Sequence, residues 1–164
     1  RGMKGSTVHI LCVGKMKEKF YIDGAAEYAK RLSRFCKLEL VELPEERLPE
    51  DPSPAQIEAA LSKEADAVRA KLPNGCLVIA MCVEGRERSS EELARRMDRW
   101  AGRGASHIVF LIGSSFGMHE SLKRQAALRL SMSPMTFPHH LLRVMLLEQI
   151  YRAYQINAGS RYHK

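Results

Sequence analysis

Three segments of the sequence carry residue types expected of a small-molecule binding site. They cover residues 81–85, 113–117 and 132–137, each at the end of a predicted strand or just before the last predicted helix. In open α/β sheets, ligands bind beyond the carboxyl ends of the strands, where such segments meet. No lysine follows a glycine-rich run, and no acidic residue is placed to hold the ribose of a dinucleotide, so these segments are poor phosphate cradles.

The side chains of these segments suit a ligand with an adenosine ring and a soft, apolar tail. Met81, Met132, Met135 and Phe137 would line the pocket, and the loop 113–117 would supply free backbone groups. Methionine more often fills gaps in a hydrophobic core, so both interpretations stay open at this point.

Other reactive constellations find little support. His139 and His140 are adjacent, so their side chains diverge, and no metal site is expected. Ser114 and Ser115 lack the strand–serine–helix context that activates a nucleophile.

The net charge of +7 is unevenly distributed along the chain. Residues 1–100 carry 18 basic and 17 acidic side chains, whereas residues 101–164 carry eight basic and two acidic ones. A general solubility surplus would explain the total. Its concentration in the second part of the chain favours a polyanionic partner, and nucleic acid fits best.

Composition predicts a single cytoplasmic domain over residues 3–164. No apolar run approaches the roughly 20 residues that span a bilayer, so no membrane segment is expected. The four cysteines show no C-x-x-C spacing, which is typical of reduced thiols. Arg1 and Gly2 precede Met3 and are predicted to be foreign to the natural chain.

Strands and helices are predicted to alternate, which indicates a parallel α/β sheet with right-handed crossovers. Residues 37–43 alternate apolar and charged side chains and are expected at a sheet edge. The predicted strands are 8–13, 37–43, 76–83 and 107–112, and the predicted helices are 16–35, 54–72, 89–100, 120–130 and a last helix ending near 157. Capping boxes formed by Ser53 with Gln56 and by Ser89 with Glu92 are predicted to begin the second and third helices, and residues 44–54 are expected to form a surface loop.

The last predicted helix is apolar over more than one face. Such a helix must be covered on more than one side. Either the middle of the fold or a second copy of the chain supplies the extra cover, and we favour a homodimer interface.

Several long motifs resemble those of one enzyme family. They are HILCVGKMKEKF, VIAMCVEG, HIVFLIG, LSMSPMTFPHHLLRVMLLEQIYRAYQIN and the terminal YHK. Together they are similar to the bacterial pseudouridine N3-methyltransferases of 23S ribosomal RNA, which belong to the SPOUT superfamily. The resemblance covers nearly the whole chain.

This resemblance implies a single-domain, parallel-sheet α/β fold of the SPOUT type with a C-terminal trefoil knot. It also implies a homodimer that transfers a methyl group from S-adenosyl-L-methionine to N3 of a pseudouridine, in the large ribosomal subunit or the assembled ribosome. Connection rules would not predict a knot, because true knots are rare exceptions.

The resemblance also assigns site residues. The cofactor positions it implies are Met81, Gly113, Met132, Ser133, Pro134, Met135, Thr136 and Phe137. The acceptor nitrogen must lose a proton, and the candidates to assist are Tyr162 and His163, followed by His139 and Arg152. We expect contacts to RNA phosphates from Arg143, Arg152, Arg161 and Lys164.

The chain departs from the family pattern near its end. The family usually reads I-N-R-G-E-P-Y-H-K, whereas this chain reads INAGSRYHK, with Ala158, Ser160 and Arg161 as the differing residues. The alternative hypothesis is therefore a catalytically weak or inactive SPOUT module that binds cofactor or RNA. A flavodoxin-like nucleotide module is a further alternative, disfavoured by the missing phosphate loop.

Overall fold

The computed structural model describes residues 5–164 and contains one sheet of parallel strands with helices on both faces. The prediction for residues 1 and 2 lies outside the described residues. The elements in chain order are β1 (Thr7–Val13), α1 (Lys19–Leu32), β2 (Lys37–Leu43), α2 (Pro54–Lys71), β3 (Leu77–Glu87), α3 (Ser90–Gly102), β4 (His107–Ile112), α4 (Glu120–Gln125), β5 (Leu128–Ser131) and α5 (His139–Asn157).

The five strands form one sheet in the order β2-β1-β4-β3-β5, and every pairing is parallel. The predicted parallel sheet is therefore confirmed. β2 lies at an edge, as its alternating pattern indicates. The two predicted capping boxes, at Ser53 and Ser89, begin α2 and α3.

One element differs from the prediction. A helix was expected over 120–130, but α4 ends at Gln125 and Leu128–Ser131 form β5. Leu128 and Leu130 are both buried, and β5 pairs with β3. Apolar residues two apart fit either periodicity in so short a run, and the backbone pairing with β3 decides in favour of a strand.

β3 is longer than predicted and interrupted. Met81 and Arg86 both pair with Leu130, so residues 82–85 bulge out of the ladder between them. At Gly85 an added Cβ would lie 2.8 Å from the backbone carbonyl carbon of Arg129, so only glycine fits this approach. The bulge brings residues 82–85 to the carboxyl end of the sheet.

Two apolar layers cover the sheet. One contains buried residues of α1, α3 and α5, and the other contains buried residues of α2 and α4. α5 packs between α1 and α3, and Leu146, Leu147 and Ile150 are fully buried there. The fold itself thus supplies much of the cover that α5 requires, while Leu142 and Met145 keep half-exposed positions.

All four cysteines are free thiols. No helix within residues 5–164 has the length and apolar character needed to cross a bilayer.

Candidate active site

A cavity of about 580 Å³ opens at the carboxyl ends of the strands. All three segments singled out from the sequence contribute to its wall, although they are widely separated along the chain. Of the eight predicted cofactor residues, Pro134 alone is absent from the lining, and the other seven are Met81, Gly113, Met132, Ser133, Met135, Thr136 and Phe137.

The loop after β4 is a tight turn that requires glycine. The Ser114 N–H donates to the Gly117 carbonyl at 3.0 Å, and the Gly117 N–H donates to the Ser114 carbonyl at 2.9 Å. A Cβ on Gly113 would lie 2.4 Å from the Gly117 carbonyl oxygen, a distance that real Cβ atoms essentially never show. Gly117 has a φ of +93°, which L side chains rarely adopt.

Two carboxylates hold this loop, one in the segment that follows β2 and one on α2, where Glu64 has a side-chain hydrogen bond with Ser114. Glu45 Oε2 accepts from the Ser115 N–H at 3.1 Å and from Ser115 Oγ at 2.5 Å. Glu64, buried on α2, accepts from the Glu46 N–H at 2.8 Å. Burial raises the pKa of the Glu64 carboxyl. The loop at the cavity floor is therefore positioned by contacts with α2 and with the segment after β2.

The segment 132–137 forms the opposite wall. Its backbone is shaped by serine side chains: Ser131 Oγ donates to the Ser133 carbonyl at 2.9 Å, and Ser133 Oγ accepts from the Met135 N–H at 3.0 Å. Met135 is 72% exposed beside the cavity. An exposed thioether at the rim of an apolar cavity is available to a ligand and does not fill a gap in the core.

Of the four predicted catalytic residues, His139 is the one that lines this cavity. It is the first residue of α5 and belongs to the lining. Burial, followed by the charge of His140, lowers the pKa of His139 below the ordinary histidine value. The ring is therefore neutral at neutral pH and able to accept a proton.

Gly14 lies against His139 and Glu45, and its positive φ favours glycine. A Cβ built on Gly14 would lie 3.5 Å from His139 Nε2 and 3.7 Å from Glu45 Oε1, and Gly14 has a φ of +120°. The His139 ring and the Glu45 carboxylate therefore face a common small space at the edge of the site.

The other predicted catalytic residues, Arg152, Tyr162 and His163, lie in a separate cluster together with Glu91 and Glu148. We call these five residues the tail cluster. Arg152 donates to Glu148 at 2.6 Å and lies 3.0 Å from His163 Nδ1. Tyr162 Oη donates to Glu148 at 2.8 Å, and His163 Nε2 lies 2.9 Å from Glu91. None of these residues is in the cavity lining.

The C-terminal residues are thus held in place by α5 and α3. The Arg152 guanidinium lies 4.8 Å from the centroid of the Tyr162 ring, and the ring of Tyr151 is 4.9 Å away on another side. Burial, together with the hydrogen bond to Glu148, raises the pKa of Tyr162 to about 12. In this arrangement Tyr162 is a neutral hydrogen-bond donor.

The predicted phosphate contact of Arg143 does not fit the structure. Its side chain is buried, and it donates to Glu42 Oε2 at 2.5 Å and to the Gly14 carbonyl at 3.2 Å. Arg143 therefore has a structural role beneath the site. Arg161 and Lys164 are exposed, as a phosphate contact requires.

The cavity offers no free cation among the described residues. Lys123 is the basic side chain in its lining besides His139, and it is paired with Glu84. Nor do the described residues contain a cluster of three or more histidine, cysteine, aspartate or glutamate side chains suited to a metal.

Sequence reasoning missed several residues of the site. Glu45 was placed in a surface loop, and it lies seventy positions before its partner Ser115. Leu130 and Ser131 of β5 also line the cavity, and neither belongs to a predicted site segment. Cys82, Val83 and Glu84, which belong to the predicted segment 81–85, line the cavity at the bulge in β3. The sequence indicated this segment but gave no signal of the bulge.

Comparisons with known proteins agree over nearly the full length. The family model described as "Predicted SPOUT methyltransferase" matches residues 6–163. The chain is 45% identical over 157 residues to "Ribosomal RNA large subunit methyltransferase H" of Lactobacillus delbrueckii, covering 96% of this chain and 99% of that one. The protein of the same name from Leuconostoc mesenteroides is 43% identical with the same coverage.

A solved structure supports the same fold. A probable methyltransferase from Bordetella pertussis superposes with a TM-score of 0.59 at 16% identity, over 93% of this chain and 97% of that chain. The family model and the curated relatives give the assignment: this chain belongs to the SPOUT methyltransferase family and, within it, to the ribosomal RNA large subunit methyltransferase H proteins.

Proposed function

We propose that this protein transfers the methyl group of S-adenosyl-L-methionine to N3 of a pseudouridine in 23S ribosomal RNA. The observation that carries the proposal is that three segments distant in sequence meet at one cavity, and that this cavity has no phosphate cradle. The relatives' names, which specify a methyltransferase of the large-subunit RNA, support the substrate class.

The donor set of the cavity fits this cofactor. Thioether and aromatic side chains of Met81, Met132 and Phe137 suit an adenine ring. In the loop 113–117, the Ser114 carbonyl accepts one hydrogen bond from the Gly117 N–H and has a second lone pair for a polar group of the ligand. The paired state of Lys123 disfavours a phosphorylated nucleotide, which would require free cations. The volume of about 580 Å³ lies in the range of small-molecule sites.

The residues of the chain have three tasks in the proposed reaction. When bound, S-adenosyl-L-methionine supplies a methyl group already activated by a sulfonium. The segment 132–137 orients the ligand and excludes water. Alignment of the reacting atoms in this way can remove a large part of the activation free energy. His139, neutral and at the cavity wall, accepts the proton of the ring N–H.

Tyr162, His163 and Arg152 require a second surface to act on the acceptor base. They lie outside the cavity lining of their own chain and are joined in the tail cluster. We propose a homodimer in which half-exposed apolar residues at the start of α5, including Leu141, meet a second copy. The trefoil knot implied by the resemblance remains a prediction. Free thiols and a ribosomal substrate are consistent with the proposed cytoplasmic location.

The test is methyl transfer from labelled S-adenosyl-L-methionine to ribosomes that lack the modification, followed by mapping of the labelled nucleotide. Label at N3 of one pseudouridine is the expected result. Free 23S RNA assayed in parallel distinguishes the two forms of substrate. Cofactor binding without label on either substrate would refute the proposal and favour the inactive binding module, for which the altered residues Ala158, Ser160 and Arg161 are the first suspects.

A further inference from the structure

An arginine cluster next to α3 has no part in the core or the cofactor cavity. It consists of Arg86 at the end of β3, Arg88 directly after it, and Arg96 and Arg99 on α3. Arg86 and Arg99 are exposed, and Arg88 and Arg96 are half-buried. The sequence gave no sign of this cluster, because residues 1–100 are nearly neutral in total.

Arg96 and Arg99 follow Glu92 at successive spacings of four and three residues, so the three side chains share one face of α3, and Arg88 reaches Glu92 on that face. The pKa of Arg96 is lowered by burial first, then by the positive charges of Arg88 and Arg99 and, more weakly, of Arg86. Glu92 acts in the opposite direction. Like charges held together disfavour the folded state unless an anion joins them.

The protein neutralises little of this charge itself. Arg88 Nη1 lies 3.5 Å from Glu92 Oε2, and Glu92 also accepts from the Ser89 N–H to cap α3. Over residues 5–164, neither Arg86, Arg96 nor Arg99 has a carboxylate within ion-pair distance. Because the capping box occupies the N-terminus of α3, the guanidinium groups, and not the helix end, are the free donors here.

Arg88, one member of the arginine cluster, lines a groove that adjoins the cofactor cavity. The groove, with a volume of about 330 Å³, is lined by Arg88 and by Leu130, Ser131 and Met132, and the last three also line the cofactor cavity. Arg88 Nε is buried and has no hydrogen-bond partner.

We propose that the arginine cluster binds backbone phosphates of the RNA whose base enters the cofactor cavity. The inference rests on the proposed function for the identity of the substrate. Guanidinium groups suit phosphates because two parallel N–H donors match two phosphate oxygens. The groove then gives the strand a continuous path from the arginine cluster to the reacting base.

The experiment measures the affinity for a short RNA hairpin of unrelated sequence as a function of salt concentration. The triple variant R86A/R96A/R99A is compared with K63A/K71A/R124A. The control variant loses the same charge from exposed residues of α2 and α4, on the other face of the sheet. Arg88 stays in place because it is partly buried and paired with Glu92.

For the cluster variant, the slope of log affinity against log salt concentration should become shallower by about two to three units. Each phosphate contact contributes a little under one unit to this slope, and the variant loses three arginines. The control should change the slope by less than about one. The variant R86K/R96K/R99K should retain most of the slope, because it keeps the charges.

Equal slopes for the cluster variant and the control would overturn the inference, since binding would then follow net charge alone. An unchanged slope with loss of ribosome methylation would also overturn it and assign the cluster to a ribosomal protein. If the wild-type protein fails to methylate ribosomes while the hairpin slope still depends on the cluster, the proposed function fails and the RNA-binding surface stands.

Discussion

Replacement of Gly113 by alanine should damage both stability and cofactor binding. The new Cβ would lie 2.4 Å from the Gly117 carbonyl oxygen, 2.6 Å from its carbonyl carbon and 3.1 Å from the Met118 nitrogen. All three are backbone atoms, so no side-chain rotation relieves the contact. The turn must open by more than half an ångström to restore an ordinary distance.

The expected magnitude follows from this geometry. Overpacking against rigid backbone costs about 1–3 kcal/mol. The displaced backbone forms part of the cavity wall, so the affinity for S-adenosyl-L-methionine should fall by roughly ten- to a hundredfold, at about 1.4 kcal/mol per factor of ten. Urea unfolding and titration calorimetry measure the two effects separately.

Gly102→Ala is the matched control. Gly102 is the last residue of α3, and an added Cβ there meets nothing within 4 Å. This change should leave cofactor affinity unaltered and, at most, raise stability by about 1 kcal/mol through the unfolded chain. Wild-type affinity and stability in Gly113→Ala would refute the account of the loop, since the close approach to Gly117 would then be without consequence.

Two further predictions concern charged and titratable groups. Glu42→Gln should destabilise the fold by about 1–2 kcal/mol, because glutamine keeps an acceptor for the buried Arg143 but loses the charge, whereas Glu50→Gln on an exposed loop should be neutral. Burial raises the pKa of Glu42, but the hydrogen bonds from Arg143 and from the Met16 N–H outweigh this effect, so the pKa is lowered. The free energy of unfolding of the wild-type protein should therefore fall as the pH drops below the ordinary glutamate range. Urea unfolding at a series of pH values should show this dependence in the wild-type protein and not in the Gln variant. His139→Gln should lower the methyl-transfer rate by about 10²- to 10⁴-fold with cofactor affinity retained. The wild-type rate should rise with pH and level off below pH 6.5, because the His139 pKa is lowered, and an unchanged rate in the variant would remove His139 as the base.

The sequence was sufficient for most of the sheet and for the location of the site. Continuous apolar runs predicted the central strands, and the three loops at their ends could be grouped because parallel strands end at one edge. The capping serines Ser53 and Ser89 predicted two helix starts. These signals are local, so they survive without knowledge of the tertiary structure.

The failures concern features that only tertiary pairing decides. β5 is four residues long, and its strand character depends on the ladder with β3. The ion pair of Arg143 with Glu42 joins residues 101 positions apart, so the type of residue 143 suggested a surface contact that burial excludes. Likewise, the uniform apolarity of α5 could not reveal that α1 and α3 cover two of its sides.

Charge compensation separates the basic residues of this protein into two groups with different capacities. Arg143 and Arg152 each have a carboxylate within 2.6 Å, so a phosphate would have to displace Glu42 or Glu148 before binding. The arginine cluster faces no such competition, because only one of its four members has a carboxylate neighbour among the described residues, and that one at 3.5 Å. The arginines of β3 and α3 are therefore better suited to bind the polyanionic partner expected from the sequence than the arginines of α5. The arginines of α5 hold the core and the tail cluster in place.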